Sequence, residues 1–317
     1  MNGPAAVLVA DYLRLRQGLG YHSPSQERML RSFARYLDQA GHAGPVPLET
    51  SLAWATSTAS ADRRNAERRL MMVRGFLRHL AALDNATAVP TPGLLGTVSG
   101  RRPPYVYSDR EISELLTAAA GLGPAGGLRA RCYVTLFGLL ACTGLRISEA
   151  LALSCADVDL GAAVLTVRAG KRGRTRLVPL HPSTVDALTG YATDRARRYG
   201  EPEPGAAFFC TDDAEQVSYD TCNYVFRKLR HQLGWDRGTH HHAPHVHDLR
   251  HRMAVRRIQA WHAEGADVDA KLPALATYLG HTEVRHVYWY LSAAPELMAI
   301  IADRFENYAA DTPGGAS

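Results

Sequence analysis

Residues 131–144 read RCYVTLFGLLACTG, and this run constrains the fold more than any other. It is apolar enough to be a helix buried in a core. It falls short of the roughly 18 apolar residues that a membrane-spanning helix needs, and no other run approaches that length. Thr143-Gly144 breaks it, and RISEAL follows at once. That predicts a second helix with Ile147, Ala150 and Leu151 buried and Arg146 at its start. A helix start presents free N–H groups and favours a phosphate. An arginine there adds a fork that can grip two phosphate oxygens. It can equally pair with Glu149 or another acid.

The 317 residues favour two domains, and 46% hydrophobic with 21% charged residues is ordinary for a globular protein. The formal net charge is +5, compatible with a nucleic acid or an anionic surface as partner. Five cysteines, with no CxxC pair, suggest buried reduced thiols in a cytoplasmic setting. The N-terminus has no basic region before its short apolar run, so it does not read as a signal peptide.

The first hundred residues read as helical. Ser23 predicts a cap, Pro24 a first turn and Gln26 the second half of a capping box, and the stripe Leu30, Phe33, Ala34, Leu37 runs up to Gly41. A helix from about residue 62 to 83 carries Ala66, Leu70, Val73, Leu77 and Leu80 on one face. Arg63, Arg64, Arg68, Arg74 and Arg78 lie on an adjoining arc, either a solvated face or one that meets a DNA backbone. Four prolines and three glycines in residues 85–104 mark an interdomain linker, and Arg101 and Arg102 within it could touch phosphate. The expected boundaries are a helical domain over 1–88, a linker over 89–104, a second domain over 105–310 and a disordered tail over 311–317.

In the second domain Ser108 and Glu111 predict a capping box. Ala163–Arg168 and Thr175–Leu180 flank GKRGR and predict a β-hairpin with Lys171 in its turn, where a lysine can reach a cleft as a proton donor or stay exposed. Helical patterns return from about Tyr219. The fold class is therefore mainly α with a small antiparallel β-sheet, an α+β arrangement.

His247 and Arg250 stand three apart in HDLRH, and on a helix they share a face. The run HHHAPHVH invites a metal, but it lacks ligand spacing and a nearby cysteine or HExxH pattern. Gly280 ends one helix, His281 opens the next segment and Thr282 can cap it. The stripe Val284, Val287, Tyr288, Leu291 places Tyr288 on a buried face, with Tyr290 about 160° away and freer to attack a ligand.

TGLRISEAL, HDLRH, and LGH with a tyrosine nine residues later resemble the tyrosine recombinase (phage integrase) family over roughly residues 106–305, and the helical first domain extends the likeness. The ending YWYLSAAPELM is similar to transposon- and integrative-element-type members. The resemblance implies a helical core-binding domain followed by a catalytic domain with an exchange helix at its end. It implies that Arg146 and Arg250 clamp the scissile phosphate, Lys171 protonates the leaving 5′ oxygen, His247 assists proton transfer, His281 contacts the phosphate and Tyr290 is the nucleophile. Glu149 supports the site. The partners implied are double-stranded DNA with inverted-repeat sites and four protomers upon it, at the nucleoid, with no cofactor, metal or membrane. Preorganised cations would supply the charge that a metal otherwise brings. Rival readings are a non-catalytic DNA-binding regulator of the same fold, a type IB topoisomerase-like enzyme acting as a monomer, and a metal-dependent nuclease, which the motifs disfavour for want of carboxylate clusters.

Overall fold

The computed structural model of the chain describes residues 3–57, 63–96, 104–168, 175–236, 243–281, 283 and 287–288. It divides into two compact units, Met1–Arg101 and Arg102–Ser317. Lys171, Arg101, Arg102, Thr282, Tyr290, the expected exchange helix and the tail all lie outside the described residues.

Among the described residues the first unit packs four helices: α1 (Pro4–Gly18), α2 (Pro24–Gln39), α3 (Leu48–Thr56) and α4 (Arg63–Leu83). The α2 stripe is buried as its spacing predicts, against Leu70, Val73 and Leu77 of α4. Phe33 meets Trp54 with ring centroids 4.9 Å apart. Each such side chain contributes about 1.5–3 kcal/mol through burial. The capping box at Ser23 does not form. Ser23 is the N-cap residue but its side chain makes no capping bond. Gln26 instead donates to the Met72 carbonyl of α4 at 3.0 Å, a tertiary bond that outcompetes the local one. Part of the Pro/Gly-rich stretch is tied to this unit. Glu67 accepts from the Gly93 and Leu95 amides, and Arg74 Nε donates to Pro90 O at 2.7 Å.

The second unit is built around α6 (Leu128–Thr143), which packs on α5 (Asp109–Ala120). Ser108 and Glu111 form their capping box at the start of α5. After α6 come the five-residue α7 (Ile147–Leu151) and an antiparallel sheet, β1 (Val158–Asp159), β2 (Val164–Arg168) and β3 (Thr175–Pro179), in that spatial order. The β2–β3 register pairs Leu165 with Val178 and Val167 with Arg176. Helix α8 (Pro182–Tyr199) has no counterpart in the sequence expectation. It packs on α6, capped by His181 with Pro182 in its first turn. Helices α9 (Tyr219–Gln232), α10 (Asp248–Ala263) and α11 (Val268–Leu279) follow. The residues between Arg250 and His281 are most of α10, a turn and α11. All five cysteines are free thiols; Cys132, Cys210 and Cys222 are buried, while Cys142 is exposed and Cys155 half-buried. No helix among the described residues is long and apolar enough to cross a membrane.

Candidate active site

Two helices end at the same place. The α6 ladder stops at Gly144 and the α11 ladder at Gly280, both left-handed, with φ of 65° at each. A side chain at either position would be strained, and a Cβ at Gly280 would lie 2.7 Å from Arg176 Nη1. These caps turn the last carbonyls of both helices toward one cluster of arginines.

Arg250, near the start of α10, is almost wholly buried. Its Nη1 donates to Gly144 O at 2.7 Å and its Nη2 to Leu279 O at 2.6 Å. The negative ends of two helix dipoles therefore hold its charge. Arg146 donates from Nη2 to Gly280 O at 3.1 Å and from Nη1 to Glu149 Oε1 at 2.7 Å. It does pair with Glu149, the plainer alternative for an arginine here, and it also joins the cluster. Its side chain remains 39% exposed, so a substrate can reach it. Arg176 of β3 donates from Nε to Tyr278 O at 2.9 Å. Three consecutive carbonyls, of Tyr278, Leu279 and Gly280, thus accept from three different arginines.

Glu149 is buried between Arg146 and Arg176. Burial by itself would raise its carboxyl, but hydrogen bonds from Arg176 and from the Arg146 amide and side chain bring it down to about 2. It remains charged at any working pH.

His247 occupies the N-cap position of α10 and keeps an exposed face. Crowding on its other side, reinforced by Arg250 and Arg146 and opposed by Glu149, pushes it down to about 4. At neutral pH the ring is uncharged and able to accept a proton. The ring of His251 stands edge-on to it, 4.8 Å away. His281 follows the Gly280 cap directly, and its amide donates to Ala276 O at 2.9 Å. Arg146, Glu149, His247, Arg250 and His281 are therefore brought to one place. Among the described residues no three His, Cys, Asp or Glu side chains converge as a metal-ligand set.

One expectation is corrected. Tyr288 is 47% exposed and does not lie on a buried face. Val287 takes the inward position, and its neighbour is turned roughly 100° away from it, outward. Helical phase consequently does not separate Tyr290 from Tyr288, and the choice rests on motif spacing.

The sequence reading missed Arg176. The signal was present: period-2 alternation from Val178, which is wholly buried, puts Arg176 on the same inward side of β3. It also passed over the outward face of α9, where Tyr219, Tyr224, Arg227, Lys228 and His231 are exposed. On α4, Arg63, Arg68 and Arg78 are exposed, whereas Arg64 and Arg74 are partly covered. Arg69, between them in sequence, is buried.

Comparison with known proteins gives the family. The phage integrase family pattern matches residues 106–296. The chain belongs to that family. It is a tyrosine site-specific recombinase, an enzyme of DNA recombination. It is 37% identical over 302 residues to a Sinorhizobium fredii protein named as an integrase/recombinase, y4rB, covering 94% of this chain and 96% of that one. It is 30% identical over 297 residues to the tyrosine recombinase XerD of Mycobacterium tuberculosis, covering 86% and 88% of the two chains. Among solved structures, the recombinase shares its fold with the Tn1549 transposon integrase in complex with transposon right end DNA. That match has a TM-score of 0.64 at 16% identity, over 94% of this chain and 99% of the other. The post-cleavage complex of XerH superposes with a TM-score of 0.63 at 16% identity, over 88% and 78%.

Proposed function

We propose that this recombinase cleaves DNA by attack of the Tyr290 hydroxyl on the scissile phosphorus. The bond to the 5′ oxygen breaks, a 3′-phosphotyrosyl link forms, and rejoining runs the same step backwards without ATP. Arg146 and Arg250 hold the non-bridging oxygens, whose charge grows in the transition state. His247, neutral near pH 7, assists the proton's passage. Lys171 protonates the leaving 5′ oxygen, His281 contacts the phosphate, and Glu149 holds Arg146. The observation that carries this reading is the convergence of Arg146, Arg250 and His247 on the two glycine-capped helix ends.

Residues 1–88 form the core-binding domain and meet DNA through α4, with Arg63, Arg68 and Arg78 outward and Arg64 and Arg74 at the flank. Arg101 and Arg102 of the 89–104 linker add phosphate contacts. The outward face of α9, basic and bearing tyrosines, is a further contact surface. Four protomers act on paired inverted repeats at the nucleoid, joined through the segment after Tyr290. The subtype is that of transposons and integrative elements, supported by the likeness to a protein named as a transposon integrase.

The test begins with footprinting of the protein on the DNA flanking its own gene. A nicked duplex carrying the protected site is then incubated with the protein in EDTA. A covalent adduct is expected with the wild type and none with Tyr290→Phe. No adduct in EDTA, or an adduct that survives Tyr290→Phe, overturns the mechanism. Relaxation of arbitrary supercoiled plasmid by a monomer would point to a topoisomerase instead.

A further inference from the structure

Glu149 has two oxygens and four donors. Oε1 accepts from Arg146 Nη1 at 2.7 Å and from Arg176 Nη1 at 3.1 Å. Oε2 accepts from the Arg146 amide at 2.9 Å and from Arg176 Nη2 at 2.8 Å. The carboxylate side chain is 8% exposed and that of Arg176 13%, so this pair is shielded from water. Arg176 approaches as a planar fork, which fixes the plane of the carboxylate. Its own plane is fixed in turn by Nε on Tyr278 O and by its position on β3. The Arg146 side chain, by contrast, is 39% exposed and its guanidinium reaches the carboxylate through one nitrogen. Without Arg176, the buried carboxylate would keep a single guanidinium partner, and that partner would be drawn in toward it. The charged groups on Glu149 are Arg146 at the start of α7 and Arg176 on β3, and the titratable His247 at the start of α10, neutral near pH 7, stands close by.

We propose that Arg176 is a positioning residue of the cleavage site, which holds the Glu149 carboxylate in place so that the Arg146 guanidinium is left aimed at the scissile phosphate. It touches no substrate. The inference rests on the phosphate-gripping role given to Arg146 above.

The experiment uses the same nicked duplex in EDTA, and reads duplex affinity and the single-turnover rate of adduct formation separately. Arg176→Gln is expected to bind with unchanged affinity and to form adduct about 10²-fold more slowly, the scale of a misplaced group near the reacting atoms. Arg176→Lys, which restores charge but not the fork, is expected between the two. Glu149→Gln/Arg176→Gln is expected to be no slower than the slower single variant, because both changes remove one interaction. This double variant carries no unpaired buried charge, and it keeps the test open if Arg176→Gln does not fold. A wild-type rate in Arg176→Gln, an additive double variant, or a loss of affinity equal to the loss of rate overturns the inference. If the wild type forms no adduct, the reading of Arg146 fails first; if the wild type cleaves and Arg176→Gln cleaves as fast, the inference alone fails.

Discussion

Each unit of this recombinase buries an arginine at the C-terminal end of a helix, and the two arginines have different uses. In the first unit Arg69 donates from Nη2 to Trp54 O, in the last turn of α3, at 2.7 Å. Its guanidinium lies 4.3 Å from the centre of the Trp54 ring. Burial lowers its pKa, and its Nε has no hydrogen-bond partner among the described residues. In the second unit Arg250 takes two helix ends at once, and the half-exposed Arg146 and His247 stand beside it. Burial at a helix end is therefore not what marks a reaction centre. What distinguishes the proposed reaction centre is a buried cation with a second cation and an ionisable ring next to it, both open to solvent.

The largest expected effect comes from Arg250→Met. Adduct formation should fall by about 10²–10³-fold or more. The two carbonyls it leaves behind should each cost about 1–3 kcal/mol of folding stability, read by urea unfolding. Arg69→Met is the counterpart. Its cleavage rate on the same duplex should equal that of the wild type, and a slower rate would mean that Arg69 also serves the reaction.

Next comes acid. The folded Glu149 carboxyl titrates at about 2 against an ordinary 4.5, so its contribution is present above 4.5 and is lost as pH falls from there toward 2. The loss is on the order of 3 kcal/mol, and Glu149→Gln should not show it in unfolding curves over that window. Gly280→Ala follows. It should cost about 1–2 kcal/mol for the left-handed backbone, and should slow cleavage because the new Cβ meets Arg176. Arg69→Met should lose about 1 kcal/mol from its hydrogen bond and ring contact.

The smallest effect on stability is at His247, which titrates at about 4 against an ordinary 6.5 but whose exposed side is screened by solvent. The folded chain binds fewer protons than the unfolded one between those values, so this residue's contribution weakens as pH falls through them. An NMR titration of the imidazole should give a midpoint near 4, and a midpoint near 6.5 would remove the reason for treating it as neutral.

The helices that carry an apolar stripe were legible in the sequence because a single face decides their burial. Leu30, Phe33 and Leu37 of α2 and Leu70 and Val73 of α4 followed this logic, whereas the run that became α6 was legible because it is apolar on nearly every side. The hairpin was legible because two β-type runs flank a glycine-rich turn, and the Ser108 box because both its bonds are local. What failed involved distant partners. Gln26 chose a carbonyl on another helix. Helix α8 buries Leu188, Tyr191 and Arg195, a face with an arginine in it that does not read as apolar. Within the site, spacing picked out Arg146, His247, Arg250 and His281, which the fold gathers. It did not pick out Arg176, because an arginine in a short strand looks like a solvated residue until its partners are known.

The fan of three carbonyls at the end of α11 also sets a ruler along the chain. Tyr278, Leu279 and Gly280 are assigned to Arg176, Arg250 and Arg146 one by one. A slip of α11 by one residue would turn each carbonyl by about 100° and hand every arginine its neighbour's acceptor. Each helix would still be folded, yet the cations would no longer be in register with one another. A change of length in the turn at 264–267, ahead of the helix, would leave that register as it is. One residue added within α11 would misregister the whole clamp.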